Sequence, residues 1–420
     1  EDSSENVEFA IKLQGDVLVP VDSHFPVEKF KAITDAYDAD DKKTVADART
    51  KLATAFKAKA KSVNEKYIVP PKTTDFGIVY APTESLYKEL TEYQDPSTKE
   101  LLIQELMKKY KIPTANFSVF SNSKNAIKYL KSSKFPTVIK ADGLAGGKGV
   151  LIVNNFKEAE NAIENIMNKK IFGQSGEKII IEEFLNGKEF SVFVFTDGEK
   201  ILHMLSACDY KKAFDNDEGP NTGGMGSFSP APQLNKSNEE YIVNNIINPT
   251  LRGLNEKQHT FKGVLYCGLI ETQKGIFVIE FNCRLGDPET QVVLPTLDYN
   301  LLTLIQSCIK SKPIINIPKQ KISAVGVVLV SDGYPGKYET GKKINIDENF
   351  NKIDNSYLYH AGTKFENEQL ITSGGRVLTA VGIGKNINEA RKIAYQVTNT
   401  VKYKNKFMRT DIALNYEEKK

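Results

Sequence analysis

The 420 residues predict an α/β, in places α+β, multidomain protein, and three observations carry that prediction. From about Pro96 to residue 312, short Val, Ile and Phe runs alternate with helix-forming stretches. Beyond about Pro313 the pattern becomes short Val-rich runs with Gly and Pro turns and one late helix, which predicts a smaller β-rich domain. Residues 1–110 have a character of their own, with 16 Lys/Arg against 20 Asp/Glu, while the whole chain carries a net charge of +3. This length suffices for two or three domains that each bury a core.

Composition narrows the class. Charged residues make up 26% and hydrophobic residues 40%, the balance of a globular protein. The small net charge gives no argument for nucleic acid or an anionic membrane as partner, and the acidic N-terminal part is a poor start for a DNA binder. No apolar run reaches the roughly 18 residues of a membrane span and no leader opens the chain, so a cytoplasmic location without a membrane partner is expected. Cys208, Cys267, Cys283 and Cys308 lack any C-x-x-C spacing and read as reduced thiols. Because the first residue is Glu1, the sequence is read as a fragment without its natural start. Nothing in it sets the oligomeric state.

The elements follow in order. Val7–Leu13 and Val17–Val21 read as strands around a Gln14-Gly15-Asp16 turn. An Ala- and Lys-rich run from Thr44 to Tyr67 predicts a long helix, and Asp75–Tyr80 a third strand. Thr83 is placed to cap a further helix. Thr98–Tyr110 should be helical, with Leu101, Leu102, Leu106 and Tyr110 on one face and Pro113 ending it. Asn116–Phe120 is a strand, Lys124–Leu130 a helix, and Phe135–Lys140 another strand. Strands are also expected at Leu151–Val153, Lys178–Glu183, Phe190–Thr196, Ile276–Asn282 and Ala324–Val330, with the late helix at Ile387–Tyr403.

Several residues carry chemistry. Between two strands, Ala141-Asp142-Gly143-Leu144-Ala145-Gly146-Gly147-Lys148-Gly149 can bring backbone N–H groups to phosphate oxygens, with Lys148 as a point charge and Lys140 just before the loop. It lacks the P-loop order, and a hairpin with a solvated lysine fits the same letters. Glu182-Glu183-Phe184-Leu185 and Glu189 form an acidic linker between apolar strands, which suits adenine and ribose hydroxyls or a plain surface turn. Glu280 and Asn282, two apart on a strand, share a face and aim two hard oxygen ligands at one point, as Mg²⁺ held by few protein groups requires. A strand end turning to solvent is the other reading.

The N-terminal segment resembles the RmuC family of DNA recombination proteins through Val7–Leu13, Val21-Asp22-Ser23-His24-Phe25-Pro26, Thr73–Phe76 and Pro82-Thr83-Glu84. That resemblance implies a restriction-endonuclease-like fold for residues 1–104, with Asp22 as metal carboxylate and Glu8 as a second one. His24 stands where the family has its lysine and lacks that fixed charge. A DNA-processing protein is therefore the alternative function.

Downstream, the order of lysine strand, glycine loop, acidic hinge and carboxylate strand resembles the ATP-grasp superfamily. Lys140–Val150, Gly219-Pro220-Asn221-Thr222-Gly223-Gly224-Met225-Gly226 and Arg284-Leu285-Gly286-Asp287-Pro288-Glu289-Thr290-Gln291 together resemble the glycinamide ribonucleotide synthetase family. Gly333–Gly336, His360–Thr363 and Gly374–Val377 add to it. The resemblance implies an ATP-grasp domain over 105–312 and the family's C-terminal domain over 313–420. It implies a ligase that phosphorylates glycine with ATP and passes the glycyl group to 5-phosphoribosylamine.

Site roles follow from the resemblance. Lys140, Gly146, Gly147 and Lys148 would meet the ATP phosphates, and Glu182, Glu183, Leu185 and Glu189 the nucleoside. Glu280 and Asn282 would hold Mg²⁺ or Mn²⁺. Asn221, Thr222, Gly223, Gly224 and Asp287 would contact substrate, and Arg284, Asp209 and Lys211 would be catalytic. Cys208, Tyr210 and Lys212 depart from the family's Gln, His and Arg around that Asp-x-Lys. His360 and Arg376 would line the cleft or serve structure. The family's N-terminal domain, with its Gly-rich strand-to-helix turn, has no counterpart in residues 1–110, so ligation is expected to be impaired, or the chain to be a non-catalytic ATP-binding hybrid.

Overall fold

The structure, a computed structural model, describes residues 107–141, 149–257, 259–311 and 320–414, strand segments 9–12, 18–22 and 78–79, and helical positions 32, 44, 47, 48, 51, 52, 54, 55 and 61. Contacts divide the chain into two units, residues 1–102 with 116–184, and 103–115 with 185–420.

In the first unit, β1 (Phe9–Lys12) and β2 (Leu18–Asp22) pair antiparallel, Phe9 opposite Val21, on either side of the expected turn. The short β3 (Ile78–Val79) runs parallel to β2, and Asp22 is the last residue of β2. Glu8 and His24 lie outside the described residues. On the helical positions inside the expected Thr44–Tyr67 run, Ala48 and Leu52 are buried.

The same unit continues with β4 (Phe117–Phe120), α1 (Ser123–Leu130), β5 (Thr137–Ala141), β6 (Val150–Val153), α2 (Phe156–Ile163) and β7 (Ile179–Glu183). Its strands form an antiparallel sheet in the order β4-β7-β5-β6. Asn122 and Asn155 cap the two helices by accepting from the backbone N–H groups of Asn125 and Glu158. Leu130, Ile139, Ile163, Ile179 and Ile181 close the core between helices and sheet.

The second unit is built on one long sheet. Its strands are β8 (Gly187–Thr196), β9 (Ile201–Asp209), β10 (Lys212–Phe214), β11 (Glu218–Asn221), β12 (Gly226–Ser229), β13 (Gly263–Thr272) and β14 (Gly275–Asn282). After α3 (Leu301–Lys310) come β15 (Ser323–Ser331), β16 (Ser356–His360), β17 (Arg376–Gly384), α4 (Ile387–Thr400) and β18 (Lys406–Phe407). The nine-stranded order is β14-β13-β8-β9-β12-β15-β17-β16, with β18 beside β15. Strands on both sides of residue 313 are thus hydrogen-bonded into one sheet, through Ser227 opposite Gly326.

All nine residues of β15 are buried, which explains its unbroken Val-rich run. Residues 107–109 are helical and already part of this unit, where Val278 N–H donates to Pro113 O at 2.8 Å. The late helix stops at Thr400 rather than Tyr403: Val401 turns to extended backbone and starts a strand, as its β-branched side chain favours. Among the described residues no single helix is long and apolar enough to cross a membrane. Cys208, Cys267 and Cys308 are buried and Cys283 exposed, all as free thiols.

Candidate active site

Antiparallel pairing sets the candidate residues of the first unit. With Val138 opposite Glu182, Lys140 lies diagonal to Glu182, and its Nζ is 2.6 Å from Glu182 Oε2 with both side chains about one-fifth exposed. Glu183 is tied by its N–H to Asn116 O and accepts from Asn116 Nδ2 at 3.1 Å. Lys140 pairs with Val150 and Ala141 N–H donates to Gly149 O, so β5 and β6 form the base of a hairpin. Its tip, with Gly146, Gly147 and Lys148, lies outside the described residues.

Along the chain, Phe184 is the last residue of the first unit and Leu185 the first of this stretch of the second. The acidic linker is shorter than expected. β8 already begins at Gly187, so Glu189 sits on a strand opposite Ile270. The charges of Lys188 and Glu189 hid this, because both lie at the exposed end of an otherwise buried strand.

Glu189 Oε2 is 2.8 Å from Lys211 Nζ. Burial opposes the charge of Lys211, and the carboxylates of Asp209 and Glu189, then Glu280, more than restore it, so its pKa lies above the ordinary lysine value. The Asp209 carboxyl is raised, first by burial and next by Glu189 and Glu280, with Lys211 pulling the other way. Glu189 thus pairs with Lys211 directly, while the charges of Asp209 and Glu280 act on it as well.

Glu280 reaches this group because of a bulge. Gly268 pairs with Glu280 but Leu269 pairs with Val278, which leaves Ile279 as an extra residue on β14. Simple alternation would place Glu280 and Asn282 in phase with the buried Ile276 and Val278; beyond the bulge Glu280 is exposed instead. A Cβ at Gly268 would stand 3.0 Å from Glu280 Cγ, so this glycine leaves room for the carboxylate. Asn282 Nδ2 donates to Glu280 Oε1 at 3.3 Å, and the two side chains share a face as the sequence predicts. Among the described residues no three His, Cys, Asp or Glu side chains gather as a metal site, so a cation here would be held by few protein groups. The hard oxygen pair of Glu280 and Asn282 fits Mg²⁺ or Mn²⁺ on those terms.

The glycine-rich stretch docks on the same strand end. Thr222 N–H and Oγ1 donate to Lys211 O at 2.7 and 2.9 Å, and Gly224 N–H donates to Thr222 Oγ1. Gly224 has φ +110°, and a Cβ there would come within 2.3 Å of Pro288 Cδ, so only glycine serves. Arg376 joins two predicted substrate residues: it donates to Gly223 O at 2.7 Å and pairs with Asp287 Oδ2 at 2.7 Å. Gly223 N–H donates to Tyr334 Oη. Asn221 ends β11 and is exposed. Arg284, half-buried, donates to Leu285 O at 3.0 Å, and His360 Nδ1 lies 3.0 Å from Thr363 Oγ1.

Sequence reasoning missed Glu289. It is 4% exposed, and a Cβ at Gly286 would meet its Oε2 at 2.5 Å. Ser191 Oγ lies 2.9 Å from Tyr266 Oη and 3.4 Å from Glu289 Oε1. Burial, followed by the charge of Asp209, pushes the Glu289 carboxyl up to about 7. A raised acid pKa stabilises the fold below about pH 4.5, the ordinary value, and that contribution is lost as pH rises through 7. Glu289→Gln is therefore expected to gain stability relative to the parent by roughly 2–3 kcal/mol between pH 5 and pH 8. Urea unfolding at the two pH values reads this, and a pH-independent difference would contradict it.

Comparisons with known proteins agree with this layout. The family described as phosphoribosylglycinamide synthetase, ATP-grasp (A) domain, matches residues 98–290, and the C domain of the same synthetase matches residues 324–415. The RmuC family matches residues 1–131. A phosphoribosylamine–glycine ligase from Caldanaerobacter subterraneus subsp. tengcongensis is 43% identical over 329 residues, 76% of this chain and 78% of that protein. The crystal structure of a phosphoribosylamine–glycine ligase from Thermotoga maritima superposes with a TM-score of 0.67 at 30% identity, covering 80% of this chain and 90% of that one. A biotin carboxylase domain from Hydrogenobacter thermophilus, solved with MgADP, shares the fold at a TM-score of 0.56 and 16% identity over 73% of this chain and 66% of that one.

Proposed function

The chain belongs to the phosphoribosylglycinamide synthetase family, and on that premise we propose that it ligates glycine to 5-phosphoribosylamine. The reaction consumes ATP and yields glycinamide ribonucleotide, ADP and phosphate, a step of purine biosynthesis. The fold is that of the ATP-grasp enzymes, which use ATP with a divalent metal. In this reading a carboxylate oxygen of glycine attacks the γ-phosphorus and the bond to ADP breaks. The acceptor amine then attacks the carbonyl carbon of glycyl phosphate, loses a proton, and phosphate leaves.

The observation that carries the reading is the convergence of Glu189, Asp209, Glu280 and the docked Thr222–Gly224 loop on Lys211. We assign Lys211 to neutralise charge at the transferring phosphoryl group and Asp209 to hold it in place. Arg284, always charged, would meet the glycine carboxylate. Asn221, Thr222, Gly223, Gly224 and Asp287 would enclose glycine, with Arg376 fixing Gly223 and Asp287. As the family resemblance implies, Lys140 and the 146–148 loop would meet the phosphates, and Glu182, Glu183, Leu185 and Glu189 the nucleoside. Glu280 and Asn282 would hold Mg²⁺ or Mn²⁺, which when bound spreads the charge of the phosphates.

The division at 1–104, 105–312 and 313–420 is part of the proposal. The RmuC match over residues 1–131 overlaps the ATP-grasp match from residue 98; RmuC-like sequence over 1–104 would stand where the family has its N-terminal substrate domain, so weak ligation with intact ATP and glycine use is expected. A cytoplasmic location follows from the same reading. ADP release with ATP alone, with glycine, and with glycine and phosphoribosylamine tests all of it. Release that depends on glycine is expected; release indifferent to glycine removes the ligase reading, and rapid glycinamide ribonucleotide formation removes the impairment.

A further inference from the structure

Arg409 is among the largest fully buried side chains, at 1% exposure, and its donors are nearly all used. Nε and Nη2 grip the two oxygens of Asp411 at 2.7 Å each, while Nη1 donates to Asp217 Oδ1 at 2.8 Å and to Lys212 O at 3.1 Å. Its guanidinium lies 4.8 Å from the ring centroid of Tyr210. Around it the neighbouring residues repeat the pattern: Thr410 N–H donates to Asp215, Asn216 N–H to Asp411, and Ala413 N–H to Tyr210 Oη. Residues 409–413 therefore hold residues 210–217 by both backbone and side chains. Residues 210–217 include Lys211 and lead toward the Thr222–Gly224 loop, which is held by Thr222 N–H on Lys211 O and, at its end, by Met225 N–H on Tyr210 O.

A buried arginine with several carboxylates is a poor stabiliser compared with apolar packing of the same volume, but its planar fork fixes geometry. We propose that Arg409 is a positioning residue for the glycine end of the site: by clamping residues 210–217 it sets the position of Lys211 and of the Thr222–Gly224 loop. The proposal rests on the reading of that loop as the glycine site.

Two variants of the full chain test it. Arg409→Lys keeps the charge and loses the fork, whereas Asp217→Ala removes the acceptor of one arm at a side chain that is 69% exposed and leaves the core packing intact. Hydrogen exchange at the Thr222 and Met225 amides, which donate to Lys211 O and Tyr210 O, reads the clamp without reference to function. Equilibrium dialysis of labelled glycine with ADP and Mg²⁺ present reads the site. The expected result is exchange faster by about tenfold or more, and a glycine Kd raised about tenfold, with ADP affinity changed less than about twofold. Unchanged exchange in Asp217→Ala overturns the clamp whatever the loop binds, including where Arg409→Lys fails to fold. Faster exchange with unchanged glycine affinity, or no glycine binding by the parent chain, shows that the loop is not the glycine site and removes the proposal with it.

Discussion

Lys211→Met is expected to reduce glycine-dependent ADP release by about 10²–10³-fold, the scale of removing one preorganised charge from a transition state. Its Nζ lies 2.8 Å from Glu189 Oε2, and the charges of Asp209, Glu189 and Glu280 all act on it. Without it those carboxylates repel one another and the incoming phosphoryl group alike. Its backbone carbonyl, which anchors Thr222, survives the substitution, so the loop should stay in place. Lys211→Arg should recover little, because a planar fork does not replace a compact ammonium in this setting. Steady-state rates with saturating ATP and varied glycine measure the effect, and a loss below about threefold would put Lys211 outside the chemistry.

Glu280→Gln has the second large expected effect, on metal affinity first and rate second. The change keeps the side-chain volume and its neighbour Asn282 but removes the one charge of the pair. Binding of Mn²⁺ in the presence of ADP, followed by electron paramagnetic resonance, should weaken by no less than the about 10–100-fold typical of losing an outer-shell partner. ADP release should fall with it and recover in part at high Mg²⁺. Unchanged Mn²⁺ affinity would leave Glu280 as an ordinary residue at the end of a strand.

How far the sequence reached is seen in these two residues. That Glu280 and Asn282 share a face was legible from their spacing. That they face away from the core was not, since by alternation they belong with Ile276 and Val278, and the bulge that re-aims them depends on Gly268 of the neighbouring strand. Lys211 was legible only as part of an Asp-x-Lys motif. Its partner Glu189 was placed in a linker because charged residues at an exposed strand end look like loop.

Contacts distant in sequence stayed hidden. Arg376 meets Gly223 across 153 positions and Arg409 meets Asp217 across 192, and no local pattern announces either. Glu289 gave no signal, because burial of an acid after a proline is decided by the sheet it packs on. The composition change near residue 313 was read correctly as β-rich sequence, yet hydrogen bonding runs through it into one sheet. The strands near Asn116–Phe120, Phe135–Lys140, Leu151–Val153, Lys178–Glu183 and Phe190–Thr196 were the most legible part, being Val-, Ile- and Phe-rich runs, whereas α2 and β9 to β13 were not anticipated.

The central claim is that glycine is activated at its carboxylate by phosphoryl transfer from ATP. It is tested most directly by supplying glycine labelled with ¹⁸O in the carboxylate, ATP, Mg²⁺ and hydroxylamine as a surrogate amine, which bypasses the acceptor half of the site. Attack of hydroxylamine on the carbonyl of glycyl phosphate expels phosphate with one carboxylate oxygen attached. The account predicts glycine hydroxamate and phosphate carrying one ¹⁸O in equal amounts; ADP release with unlabelled phosphate and no hydroxamate would contradict it.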